Sequence, residues 1–129
     1  MRRLVVRACT VAAFAGCLAI VGAGLLGSGR VLAQGEPDAA TLAHGQDVYE
    51  YWCAPCHAPG PGHPGTQALQ VKYGGDPAAV LLDRPDLTTE TVALFVRQGI
   101  SVMAPFRKTE IGDADLDALA AYIVATANE

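Results

Sequence analysis

Apolar residues recur at helical spacing in three stretches of the chain. The first runs from Ala40 to Trp52, and its apolar or small positions are Leu42, Gly45, Tyr49 and Trp52. The last follows Asp113, and its apolar positions are Leu116, Leu119, Ala120, Ile123 and Ala127. Asp113 is expected to cap this last helix, with Asp115 in its first turn, where the helix dipole favours an anion. Both stretches are therefore predicted to be amphipathic helices.

A further helix is predicted between these two. Thr88 or Thr89 can cap its start, and Gly99 suits the position just after its end. Its apolar face consists of Val92, Phe95 and Val96. The pattern thus predicts a helix that begins after Thr88 or Thr89 and ends before Gly99.

The rest of the chain has weaker patterns. Residues 66–73 and 77–82 are short candidate helices, whereas the many Gly and Pro in residues 58–65 predict an irregular loop. Residues 100–111 show no sustained period. No stretch alternates as a strand does, and no internal repeat is present, so we predict one small all-α domain.

Residues 1–33, about a quarter of the chain, have a different character. Basic residues at positions 2, 3 and 7 precede an almost entirely apolar run over residues 8–26, and Val31 and Ala33 are small residues at the −3 and −1 positions of a cleavage site. This predicts a secretory signal peptide, residues 1–33, and a mature domain, residues 34–129. The apolar run is also long enough to span a bilayer, so a retained anchor is the alternative.

Removal of that segment changes the charge and the cysteine content. The chain has nine Lys and Arg and 13 Asp and Glu, but four of the Arg and none of the acids lie within residues 1–33. The mature domain therefore carries a formal charge of −8, which argues against nucleic acid or an anionic membrane as a partner. Cys9 and Cys17 are lost as well, so no structural disulfide can stabilise this small domain.

The two remaining cysteines belong to the pentapeptide Cys53-Ala54-Pro55-Cys56-His57. A C-x-x-C-H motif is typical of covalent haem c attachment, with two thiols on one helical turn and the histidine as an iron ligand. A zinc site normally needs four protein ligands, and a thioredoxin-like redox pair normally lies in a βαβ unit. The mature chain offers neither a second Cys pair nor strands, so the haem interpretation is favoured.

The second iron ligand is predicted to be Met103. It is the one Met of the mature chain and follows His57 by 46 residues, in a non-helical stretch between Gly99 and Pro105. A lone Met is also a common filler of core space, but a thioether ligand would raise the reduction potential of a bound haem. His44 and His63 are alternative ligands, the second of them only six residues from His57.

Together these residues resemble class I cytochromes c. The resemblance rests on Gly45-x-x-x-Tyr49, the C-x-x-C-H motif, Met103 near a proline, and Tyr122 in the last helix. It implies a small all-α fold in which the N- and C-terminal helices cross at right angles, with Gly45 allowing their close approach, over a covalently bound haem. It also implies that a proline-loop carbonyl accepts the Nδ1–H of His57, with Pro64 the best match and Pro59 and Pro61 as alternatives.

A narrower resemblance rests on the segment after the predicted ligand. Here Ala104 separates Met103 from Pro105, and the run from Met103 to Ile111 is similar to the cytochrome subunit of p-cresol methylhydroxylase (4-cresol dehydrogenase) and related alkylphenol-oxidising flavocytochromes. Residues 64–69 and the Arg84-x-Asp86-Leu87 sequence add to the likeness. In that family the cytochrome accepts single electrons from the FAD of a flavoprotein subunit, which oxidises the phenol.

The sequence thus predicts a periplasmic electron-transfer subunit that is not itself the enzyme, with Cys53, Cys56, His57 and Met103 holding one haem c. Its expected partners are a flavoprotein dehydrogenase subunit and a downstream redox acceptor. Nucleic acid is not expected as a partner, and neither is a membrane unless residues 1–33 are retained. One alternative is a freely diffusing cytochrome that serves another dehydrogenase or a terminal oxidase. Another is a haem enzyme or gas sensor with an open iron.

The sequence leaves the roles of two groups of polar residues undecided. Tyr73 and Arg84 are candidates for hydrogen bonds to the haem propionates, although ordinary packing would explain them equally well. Arg97, Arg107 and Lys108 lie on either side of Met103 in the sequence, where they are either docking charges or solvated surface groups.

Overall fold

The structure is a computed structural model, and it describes residues 35–129. The predicted signal peptide, including Cys9 and Cys17, lies outside the described residues, so its cleavage stays a prediction. Within residues 35–129 the chain forms helices and no β-strand, which confirms the all-α fold class. The helices are α1 (Ala39–Trp52), α2 (Ala54–His57), α3 (Pro64–Tyr73), α4 (Thr89–Gln98) and α5 (Asp113–Ala127), with a 3₁₀ turn at Leu81–Asp83.

Helices α1 and α5 form the largest contact of the fold, and a glycine makes that contact possible. A Cβ at Gly45 would overlap the carbonyl oxygen of Ala118 and lie 2.7 Å from the Cβ of Tyr122. Next to this point the rings of Tyr49 and Tyr122 pack with their centroids 5.7 Å apart. The predicted close approach of the first and last helices at Gly45 is therefore confirmed.

The hydrophobic core lies between α1, α4 and α5. Its most deeply buried side chains are Tyr49, Ile111, Leu119 and Ile123. Val92 and Val96 of α4 pack against the same cluster, as the helical period predicted. The core thus joins the two ends of the domain to the helix that precedes the Met103 segment.

Of the two helix caps predicted, the one at Thr88 is present, and a further cap at Asp38, which was not predicted, begins α1. The Asp38 carboxylate accepts a hydrogen bond from the Thr41 amide at 2.8 Å, and the Thr88 hydroxyl accepts one from the Thr91 amide at 3.2 Å. The predicted cap at Asp113 is wrong, because Asp113 is already the first helical residue and Gly112 precedes it. Asp115 reaches back instead, and its carboxylate accepts the Gly112 amide at 3.2 Å.

The middle of the chain differs more from the prediction. Helix α3 begins at Pro64, inside the expected loop, because proline suits the first turn of a helix, where no amide hydrogen is needed. The helix predicted over residues 77–82 is absent, and only the short 3₁₀ turn forms there. No helix within residues 35–129 is long and apolar enough to cross a membrane.

Candidate functional site

The C-x-x-C-H motif occupies one helical turn, as its spacing predicted. The amide of Cys56 donates to the carbonyl of Cys53 at 3.0 Å, and the amide of His57 donates to the same oxygen at 2.8 Å. Cys53 is buried, whereas Cys56 is exposed. The Tyr49 hydroxyl donates to the carbonyl of His57 at 3.3 Å and thereby ties the motif to α1.

The environment of the Cys53 thiol does not fit that of the activated thiol in a thioredoxin-like redox pair. Burial, with a smaller contribution from Cys56, raises the pKa of the Cys53 thiol to about 12. A redox-active pair relies on a thiol whose pKa is lowered. Within residues 35–129 there is also no cluster of three or more His, Cys, Asp or Glu that could hold a metal ion, which argues against the zinc alternative.

The imidazole of His57 is packed against a glycine. A Cβ at Gly65 would lie 2.7 Å from Cε1 and 2.9 Å from Nδ1 of His57, so any larger residue would displace the ring. Burial lowers the pKa of His57 and therefore favours the neutral imidazole, the form that binds a metal. Nδ1 is buried and has no hydrogen-bond partner among the described residues.

This last observation corrects one expectation. A proline-loop carbonyl was expected to accept the Nδ1–H of His57, with Pro64 as the best match, but none does so. Pro64 is the first residue of α3, and the carbonyl of a helical residue points along the helix axis toward the next turn. The backbone of α3 contacts the ring through Gly65 instead.

A largely apolar cavity of about 620 Å³ opens beside the motif. Its walls come from α2, α3, α4, α5 and the Met103 segment. The apolar residues that line it include Leu69, Leu81, Leu87, Val92, Phe95, Val96, Leu119 and Ile123. Such a cavity suits a large, flat, apolar group with few polar atoms.

All four predicted site residues line this cavity. Cys53, Cys56 and His57 reach it from the end of α1 and from α2, and Met103 reaches it from the segment after α4. The two alternative histidines do not line it. The ring of His44 is paired with Asp115 at 2.8 Å, and Nδ1 of His63 lies 3.2 Å from the Pro55 carbonyl oxygen.

Met103 is presented by a tight hairpin. The amide of Ile100 donates to the Met103 carbonyl at 3.0 Å, and the amide of Met103 donates to the Ile100 carbonyl at 2.9 Å. Ser101, inside this turn, has a positive φ of 55°. Gly99 has a φ of 70°, and a Cβ there would lie 2.9 Å from the nitrogen of Pro105. Gly99 and Pro105, which lie on either side of Met103 in the sequence, thus approach each other so closely that a side chain at position 99 would not fit.

Two cations, Lys72 and Arg84, line the cavity, and no carboxylate does. Arg84 is 7% exposed, and its Nε and Nη2 donate to the two carboxylate oxygens of Asp86, each at 2.7 Å. These hydrogen bonds lower the pKa of Asp86 and raise the pKa of Arg84. The guanidinium of Arg84 also lies over the Tyr73 ring, 5.2 Å from its centroid.

The sequence interpretation missed several of these contacts. The Arg84–Asp86 pair has a local signal, because residues two apart in a non-helical stretch can point the same way, but the contact of Gly65 with His57 has none. Lys72 was not singled out either, since a lysine near a helix end is usually solvated. Gly65, Lys72 and Arg84 all line the cavity that the predicted ligands share.

A comparison with protein-family models matches residues 40–123 to the family described as cytochrome C oxidase, cbb3-type, subunit III. The match spans more than half of the 129 residues, and the chain belongs to this family of cytochrome c domains. It is thus a class I-like c-type cytochrome with a covalently bound haem c and its iron, and its role is electron transfer. No curated protein and no solved structure matches the chain.

Family membership leaves three finer expectations as predictions. Domains of this kind are typically extracytoplasmic, and location in the periplasm in particular stays a prediction. The likeness to the p-cresol methylhydroxylase cytochrome finds no support in the family match. The assignment of individual residues as haem attachments and iron ligands likewise goes beyond it.

Proposed function

We propose that this cytochrome is a periplasmic one-electron carrier, in which Cys53 and Cys56 hold the haem covalently while His57 and Met103 bind its iron. The observation that carries the proposal is the shared cavity, because Met103 lines the same walls as His57 although 46 residues separate them. When bound, the haem supplies an iron that gains and loses one electron.

The residues of the chain divide the remaining tasks. Burial lowers the pKa of His57 and so favours its neutral imidazole, and Gly65 leaves room for the ring beside α3. Met103 offers a neutral thioether, which raises the reduction potential relative to a second imidazole. The largely apolar walls give the site a lower dielectric constant than water. The charge of a bound iron therefore interacts more strongly with the groups around it than it would in solution.

The cations of the cavity are suited to the acidic edge of a haem. Lys72 and Arg84 line the walls, and Nη1 of Arg84 is not among the nitrogens that bind Asp86. A propionate near this edge would meet positive charge without a competing carboxylate from the cavity wall. Tyr73 and Arg84, the two propionate candidates of the sequence, contact each other at this edge.

The proposed electron donor is the FAD of a flavoprotein that oxidises 4-alkylphenols. The Met-Ala-Pro spacing and the neighbouring sequence support this donor, and the exposed apolar residues Ile100 and Val102 at the cavity mouth offer a surface for it. The three cations near this surface already have acidic partners, because Arg107 pairs with Glu110, and both Arg97 and Lys108 pair with Asp113.

Met103 ligation is tested by optical spectroscopy of the haem-loaded protein. We expect the ferric wild type to have a near-infrared thioether–iron charge-transfer band that is lost in Met103→Ala and kept in the matched control Val102→Ala. The ferrous Met103→Ala protein is expected to bind carbon monoxide rapidly. Rapid binding to the wild type would instead indicate an open iron and contradict the carrier function.

The donor is tested by affinity purification from periplasm at physiological salt. Recovery of a second subunit with covalently or tightly bound FAD, which reduces the cytochrome when a 4-alkylphenol is added, is the expected result. Recovery of the cytochrome alone from the periplasm would favour a freely diffusing carrier and count against the flavoprotein complex. Recovery with the membrane fraction would indicate that the N-terminal segment is retained.

A further inference from the structure

We propose that Arg97 is a positioning residue that holds the Met103 segment, residues 99–112, against α4 and α5 so that the thioether stays on the iron. The inference rests on the proposed ligation by Met103 and adds the residue that maintains it. Arg97 does not line the cavity, so its effect would be exerted through the backbone of the segment that carries Met103 and through the start of α5.

The Arg97 guanidinium contacts four acceptors. Its Nη1 donates to the carbonyls of Phe106 at 3.3 Å and Ile111 at 2.9 Å. Its Nη2 donates to the carbonyl of Gly112 at 3.3 Å and to the carboxylate of Asp113 at 3.0 Å. One side chain in the last turn of α4 thereby binds the middle and the end of the segment and the start of α5.

The segment has few other attachments of this kind. The Ile100–Met103 hairpin is internal to it, and the turn that joins Arg107 to Glu110 and Ile111 is internal as well. The Phe106 amide donates to the Val96 carbonyl at 2.8 Å, and the Phe106 ring packs edge-on against Trp52 with centroids 5.6 Å apart. Beyond Phe106, Lys108 pairs with Asp113 at 2.7 Å, and the Gly112 amide donates to the Asp115 carboxylate. The fork of Arg97 adds hydrogen bonds from α4 to the backbone carbonyls of Ile111 and Gly112.

The geometry requires arginine in particular. The planar guanidinium presents several donors in a fixed fork, so two nitrogens can serve four acceptors at once. A lysine ammonium is a single donor centre and can serve only part of this set. Hydrogen bonds with a charged donor contribute more than neutral ones, so their loss should raise the population of conformations in which Met103 has left the iron.

The test compares Arg97→Gln and Arg97→Lys with the control Arg107→Gln, which removes a charge from the same segment. Arg107 is a fair control because its side chain bonds only to Glu110 within the segment. The measurement is the rate at which exogenous imidazole replaces Met103 in the ferric haem-loaded protein, followed by loss of the near-infrared band. Circular dichroism at the same temperature reports whether each variant is folded.

We expect roughly tenfold faster replacement in Arg97→Gln, a smaller increase in Arg97→Lys, and a rate within about twofold of wild type in Arg107→Gln. A folded Arg97→Gln protein with the wild-type rate would overturn the role of Arg97. If that variant does not fold, a folded Arg97→Lys protein with the wild-type rate overturns it in the same way. A wild-type protein without the band would instead refute Met103 ligation itself, which separates the two failures.

Discussion

Gly45 and Ala118 bring the backbones of α1 and α5 into direct contact, and a Cβ at position 45 would overlap the Ala118 carbonyl oxygen. The contact lies one helical turn before Tyr49, which packs on Tyr122 and hydrogen-bonds the carbonyl of His57. The closest approach of the two terminal helices is therefore connected through one side chain to the haem-attachment motif.

The first prediction concerns this helix contact. Gly45→Ala should lower the free energy of unfolding by about 1–3 kcal/mol. The added methyl group would clash with the backbone of Ala118, and this clash can be relieved only by moving α1 and α5 apart. Guanidinium unfolding of the haem-loaded protein measures the change. Gly35→Ala is the control, since nothing lies within 4 Å of a Cβ there. Equal stabilities of the two variants would contradict the contact.

The second prediction concerns the glycine beside the proximal histidine. Gly65→Ala should displace the His57 ring, because the new Cβ would lie 2.7 Å from Cε1. The expected cost is about 1–3 kcal/mol of stability, together with a shifted Soret band and a changed reduction potential. Spectroelectrochemistry separates this effect from a purely structural one. An unchanged potential and spectrum in Gly65→Ala would show that the ring does not depend on the glycine.

The third prediction concerns the ion pair between buried Arg84 and exposed Asp86. Asp86→Asn should lower the free energy of unfolding by about 1–2 kcal/mol at neutral pH. The loss is smaller than for a fully buried ion pair, because the Asp86 carboxylate is partly exposed. Asp76→Asn, an exposed position without an ion pair among the described residues, is expected to have little effect. Chemical unfolding of both variants at pH 7 gives the comparison.

The same pair has a predicted pH dependence. Hydrogen bonds from Arg84 lower the pKa of Asp86, so its stabilising contribution is fully present above the unfolded pKa of about 4 and is lost as the pH falls through the lower folded pKa. The stabilities of wild type and Asp86→Asn should therefore converge below about pH 4. A difference that stays constant down to pH 2 would mean that the Asp86 charge contributes nothing.

The fourth prediction concerns docking of the electron donor. Val102 is 90% exposed at the tip of the Met103 hairpin, and Val71 is 88% exposed on α3 without lining the cavity. Val102→Asp should weaken donor binding roughly tenfold, because it places a charge in an apolar contact, whereas Val71→Asp should not. Titration of the purified donor measures both constants, and near-infrared spectra verify that Met103 ligation is intact. Equal weakening by the two variants would argue against docking at the hairpin.

Local patterns were sufficient for much of the fold. The spacing of apolar residues predicted α1, α4 and α5, because one face of each helix is buried and the helical period repeats along a single stretch. The motif residues Cys53, Cys56 and His57 were equally accessible to sequence reasoning, since they are neighbours on one helical turn. That reasoning was less accurate at helix starts. Gly112, and not the predicted Asp113, is the residue that precedes α5, and Pro64 begins a helix inside a predicted loop.

The sequence by itself therefore determined the all-α class, the haem-attachment motif and the choice of Met103 as a candidate ligand. Only the tertiary structure decided that Met103 and His57 line one cavity, that Gly65 rather than a proline carbonyl contacts the imidazole, and that Arg97 binds the segment between Met103 and α5. The physical reason is distance along the chain. A helical turn is set by neighbouring residues, whereas these contacts join residues that become neighbours only after the helices have packed.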